Sequence, residues 1–139
     1  MLKTIDFQNE KEINKTLLQF EKEAVYEEIE TACIITSNGD VYKCFGINDR
    51  VFPDTDLGEK LYGAIVTHNH PIDETASSFS NDDIKMFSHF NLDRLRGCDQ
   101  KYIYELSREN HNIDELPDDW QIYETFSIVL IFIKPKKWK

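Results

Sequence analysis

The sequence predicts a chain of the α/β (α+β) class, with helices and strands interleaved. Three observations predict it. Near the start, apolar residues recur at three- and four-residue steps, the period of an amphipathic helix. Two apolar runs then flank Asn38-Gly39, the pair that most strongly marks a short β-hairpin. A third apolar run, β-branched at its end, closes on Thr67-His68-Asn69-His70-Pro71, where proline stops a helix or a strand ladder from continuing.

Composition bounds the rest. A chain of 139 residues suits one domain with one core, spanning 1–139. It is 40% hydrophobic and 12% aromatic, enough to fold rather than remain a charge polymer. A net charge of −10 and a pI near 4.8 oppose unassisted binding to nucleic acid or to an anionic membrane, because phosphate contacts need clustered Lys and Arg. The opening Met1-Leu2-Lys3-Thr4-Ile5-Asp6 lacks the apolar segment of a signal peptide, and the longest apolar run, Ile128–Ile133, is too short to span a bilayer. The three cysteines, Cys33, Cys44 and Cys98, are odd in number and widely spaced, which points to reduced thiols in a cytoplasmic setting.

Taken in order, residues 9–29 read as a helix with Ile13, Leu17, Phe20, Ala24 and Val25 on one face. Glu and Lys fill its other face, which reads as solvated. Residues 31–37 and 40–45 read as the hairpin, joined by a type I′ turn that needs φ > 0 at both Asn38 and Gly39. A two-residue turn sets Cys33 opposite Cys44, within reach of a disulfide; two reduced thiols packed in a sheet are the simpler reading. Both faces of the hairpin are apolar, so it is expected to be covered on both sides. Residues 46–60 are a loop with Pro53, Asp54 and Asp56 as turn residues. Residues 61–67 form a buried strand that delivers His68 and His70 to its C-terminal edge, where open α/β sheets place their sites. After a polar loop, Ser80 suits a helix N-cap, Asp83 three residues on resembles a capping box, and Phe79 with Ile84 makes a hydrophobic staple. That helix continues through residue 90, with Ile84, Phe87 and Phe90 toward the sheet. Residues 92–97 read as a connector and 100–106 as a strand. Residues 107–119 read as a polar loop or frayed helix, and 122–133 as an edge strand in preference to a final helix. The basic end, 134–139, reads as a solvated tail, since six residues on an acidic chain make a poor nucleic-acid patch.

The chemistry concentrates at the histidines. Side chains of an extended chain alternate, so His68 and His70 lie on one side and reach one cation. Asp82 and Asp83 return a carboxylate at the next helix start. Two imidazoles and one carboxylate, with a fourth position left to water, make the donor set of a catalytic zinc. His89 and His111 stand alone and read as structural or exposed. Asp73 and Glu74 read as solvated loop residues or as neighbours of a substrate. Ser80 and Asp83 also have the purely structural capping role, and the two roles are compatible.

His68-Asn69-His70-Pro71 followed by Ser80-Asn81-Asp82-Asp83 resembles the signature of the JAB (JAMM, MPN+) metallopeptidases, and its spelling is nearest to their bacterial, phage and RadC-like branches. The resemblance covers residues 30–90. It implies a JAB/MPN-like mixed β-sheet flanked by helices, layered like the cytidine deaminases, with one zinc per chain at the sheet's edge. It implies His68, His70 and Asp83 as the ligands, with Asp82 as the alternative to Asp83. It implies Glu30, just before the hairpin, as the base that takes a proton from water and then gives one to the leaving amine. Glu28, of the same strand parity, is the alternative. Ser80 would donate its hydroxyl to the tetrahedral intermediate. The implied reaction is hydrolysis of a peptide or isopeptide bond in a protein or peptide substrate, with ubiquitin-like and precursor proteins among the candidates. Origin on a phage or mobile element fits the same spelling. Two other readings stand beside it: a non-catalytic MPN-type scaffold, and a RadC-like accessory to DNA transactions, against whose direct DNA contact the acidic charge argues. The sequence leaves the oligomeric state open.

Overall fold

The computed structural model describes residues 1–45, 57–70, 81–100, 103–108, 120–125 and 128–133. At 81, 82 and 108, and in the last two stretches, it describes the backbone alone. After a two-residue strand β1 (Lys3–Thr4), helix α1 spans Glu10–Ala24. Asn9 caps it, its Oδ1 accepting from the Glu12 backbone N–H at 3.2 Å, and the Glu10 and Glu12 carboxylates suit the positive end of the helix dipole. The helix ends at residue 24 rather than the expected 29. Val25 is buried against Cys98 and Ile103, and the Ala24 carbonyl accepts from the Asn69 side chain at 2.8 Å, so tertiary contacts turn the chain back. The polar side of α1 is not all solvated, since Glu21 is fully buried.

The hairpin pairs β2 (Thr31–Ile35) with β3 (Asp40–Phe45). Its loop is one residue longer than the expected turn. Thr36 N–H donates to the Asp40 carbonyl at 2.9 Å and Gly39 N–H to the Thr36 carbonyl at 2.8 Å. Gly39 has φ +87°, while Asn38 does not take the positive φ a type I′ turn requires. This is the three-residue loop with a left-handed glycine at its end. The extra residue moves the register: Ala32 faces Cys44, and Cys33 faces Lys43. Cys33 and Cys44 therefore lie on opposite faces in separate clusters, and all three cysteines are free thiols. β2 is buried on both faces, whereas β3 is half-covered, with Phe45 exposed.

A short 3-10 turn, Gly58–Leu61, and a bend at Gly63 (φ +73°) delay the next strand, so β4 spans Ile65–Asn69 rather than 61–67. Helix α2 (Asn81–His89) buries Phe87 fully and packs Met86 and Phe90 beside it. Ile84, expected toward the sheet, is 42% exposed, because the helix turns its 86–87–90 side inward. The expected connector 92–97 is instead a buried strand, β5 (Arg94–Cys98). β6 spans Ile103–Arg108. The apolar end is two strands, β7 (Trp120–Thr125) and β8 (Ile128–Ile133), where one was expected.

The eight described strands form one sheet in the order β1-β3-β2-β4-β5-β6-β8-β7. The β4–β5 pair is parallel and the others are antiparallel, so the sheet is mixed and the α+β class holds. Alternation along the strands makes two cores. On one face Cys33, Ile35 and Ile65 pack with Ile13 and Leu17 of α1; on the other Ala32, Ile34, Val66 and Leu95 pack with Phe87 of α2. Among the described residues, no helix is long and apolar enough to cross a membrane.

Candidate metal site

β4 sends alternate residues to the two layers. Thr67 turns toward α1 and donates through Oγ1 to the Glu21 carboxylate at 2.7 Å. Asn69 turns the same way and meets the end of α1. His68 and His70 therefore lie on the α2 side, 5% and 8% exposed, with ring centroids 5.1 Å apart. The parallel partner strand holds the second imidazole in place: His70, just past β4, donates its backbone N–H to the Cys98 carbonyl at 2.7 Å.

The third member comes from the first turn of α2. Asp83 Oδ2 lies 3.3 Å from His68 Nε2, its side chain mostly shielded. One donor atom from each of His68, His70 and Asp83 falls within 4.8 Å of the other two, so the group can hold a metal ion. Two imidazole nitrogens and a carboxylate oxygen are compatible ligand types, and three ligands leave room for a further one.

Burial works against a charged imidazolium at His68. The hydrogen bond and charge of Asp83, then the charge of Glu30, outweigh it and hold the His68 pKa above its ordinary 6.5. Glu30 is half-buried immediately before β2. β2 and β4 are antiparallel with Ala32 opposite His68, so extending that register brings position 30 opposite position 70, on the imidazole face. Glu28, the alternative base, is exposed in the connector. Ser80, Phe79, Asp73 and Glu74 lie outside the described residues, as does the Asp82 side chain; so does His111. His89 is exposed and packs edge-on against Phe90, centroids 4.6 Å apart.

No protein-family model, curated protein or solved structure matches the chain.

Behind the imidazoles lies a buried ionic chain, built from residues whose charge makes them look like surface positions in the sequence. Arg96, on β5, meets Glu21 at 3.2 Å and Glu105 at 3.3 Å, and Ser107 donates to Glu105 at 2.7 Å. Arg94 pairs with Glu10 and, at 3.2 Å, with Asp93. Two signals were available. Glu21 stands four residues after Leu17, on the same stripe as Ile13 and Leu17. The alternation Arg94-Leu95-Arg96 is a strand pattern whose polar positions are occupied by arginine.

Proposed function

We propose that this chain is a zinc-dependent hydrolase of the JAB type, cleaving a peptide or isopeptide bond in a protein substrate. The observation that carries the reading is the shielded His68–His70–Asp83 group, with the charge of Glu30 acting on its first imidazole. Three protein ligands of these types suit a zinc that keeps one position for water or substrate. Bound there, zinc would supply a water acidified to a pKa of about 7 and a Lewis acid for a carbonyl oxygen.

The chain's own residues would do the rest. His68 and His70 hold the ion from the strand, and Asp83 holds it from the helix. Glu30 accepts the proton of the attacking water and returns one to the leaving amine nitrogen. The burial of both imidazoles keeps bulk water from competing for the ion. Ser80 is assigned, by resemblance, to donate a hydrogen bond to the oxyanion. The acidic chain favours a protein over a nucleic acid as partner.

The test is cleavage by the zinc-loaded protein of a fluorogenic amide of a ubiquitin-like tail and of an isopeptide-linked pair of such proteins. Cleavage is expected to stop with a chelator and return with zinc. Glu30→Gln is expected to lower the rate by ~10²–10⁴-fold, the usual worth of a positioned base. A zinc-loaded protein that cuts neither, or a fully active Glu30→Gln variant, contradicts the reading.

A further inference from the structure

Between the two imidazoles stands a residue that faces the other way. Asn69 is fully buried on the α1 side of β4, and its amide is fully engaged. Nδ2 donates to the carbonyls of Ala24 at 2.8 Å and Ile29 at 3.0 Å. Oδ1 accepts from the backbone N–H of Thr31 at 2.6 Å and from its hydroxyl at 3.3 Å. Two of these bonds matter most for the site. The Ile29 carbonyl belongs to the peptide group before Glu30, and the Thr31 N–H belongs to the peptide group after it. One side chain therefore holds both peptide planes that flank the Glu30 Cα, and those planes set its φ and ψ.

We propose that Asn69 is the positioning residue for Glu30: rooted between the two histidines, it fixes the backbone from which the Glu30 carboxylate reaches the site. The inference rests on the reading of Glu30 as the proton carrier. It gives the middle residue of His68-Asn69-His70 a role distinct from ligation. It also explains how a connector of only six residues, 25–30, turns sharply from α1 into β2 with its last residue in a set place. Ala24 and Ile29 mark the two ends of that turn, and both are tied to the strand that carries the imidazoles. The two imidazoles and the base are then held on one framework. A buried amide that makes four hydrogen bonds is costly to replace, because the Ile29 carbonyl and the Thr31 N–H would each lose a partner.

The test has two arms. In the first, Asn69→Ser is made in the wild-type and Glu30→Gln backgrounds, and cleavage of the fluorogenic ubiquitin-like amide is measured with zinc content held at one per chain. Asn69→Ser is expected to lower kcat by ~10–100-fold in the wild type, the usual worth of an outer-shell partner. With Gln at position 30 it is expected to change little, since there is no carboxylate left to position. An equal loss in both backgrounds would mean a general structural role and would overturn the proposal. The second arm needs neither metal nor activity. Backbone residual dipolar couplings of the metal-free protein are expected to scatter at Glu30 and Thr31 in Asn69→Ser while those of β4 hold. Couplings unchanged at Glu30 would overturn the proposal even if hydrolysis itself were never observed. Should Asn69→Ser not fold, Asn69→Thr keeps one hydroxyl on a residue suited to a strand and gives the same comparison.

Discussion

His68 is held between two opposed effects. Removal from water disfavours its charged ring, while Asp83 and then Glu30 favour it, and the carboxylates win. A histidine whose pKa is raised by folding adds stability that is fully present below the unfolded value, 6.5, and is lost as pH rises through the higher folded value. Metal-free protein is therefore expected to gain resistance to urea as pH falls from above the raised folded value toward 6.5, and Asp83→Asn is expected to flatten that gain. An identical pH slope in both proteins contradicts the pairing. Zinc and the proton compete for the same imidazole, so acidification is expected to release metal, at a lower pH than that at which the metal-free ring takes its proton. The cysteines contribute no such chemistry. Burial, with Glu21 adding to it, pushes the Cys33 thiol up to about 12, and burial pushes Cys98 well above 9.0. At this scale the sequence was informative: alternation alone puts His68 and His70 on one side. It was silent on Asn69, whose four bonds go to Ala24, Ile29 and Thr31, far away in the chain.

The elements show why some boundaries were legible and others were not. The start of α1 was readable because its cap is local: Asn9 bonds the amide three residues on. Its end was not, because Asn69 and the burial of Val25 impose it from outside. The hairpin was readable from Asn38-Gly39, but its loop length was not. A Cβ on Gly39 would run into the Ile5 carbonyl oxygen, and Ile5 N–H donates to the Gly39 carbonyl at 2.8 Å, so β1 packs over the turn. β5 was missed because its arginines look like surface residues, yet Arg94 and Arg96 are 5% and 3% exposed. Each is paired with a carboxylate of α1, which allows a charged strand into the middle of a sheet. Glu21→Leu removes one partner and leaves the Arg96 charge buried. It is expected to lower stability to urea by about 3–5 kcal/mol, whereas Lys22→Ala, on the exposed side of the same helix, is expected to stay within about 0.5 kcal/mol. A Glu21→Leu protein as stable as the wild type would show that the ionic chain contributes little.

Across the whole molecule, the mixed sheet brings together residues far apart in sequence. Helix α1 and the ionic chain lie on one face; α2 and the imidazoles lie on the other. The parallel β4–β5 pair is central, since it buries β4 and fixes His70 through Cys98. The α+β class and the imidazole pair were legible in the sequence because both follow from local period. The strand order was not, since it depends on pairings between segments far apart in the chain. The proposed chemistry depends on an ion held between a strand and a helix. The most direct test is anomalous diffraction at the zinc edge from crystals of the zinc-loaded protein. One ion bonded to His68, His70 and Asp83 at ~2.0–2.2 Å is expected, and its loss in a folded His70→Ala protein. Zinc bound at other residues, or no zinc at this site under saturating metal, would contradict it.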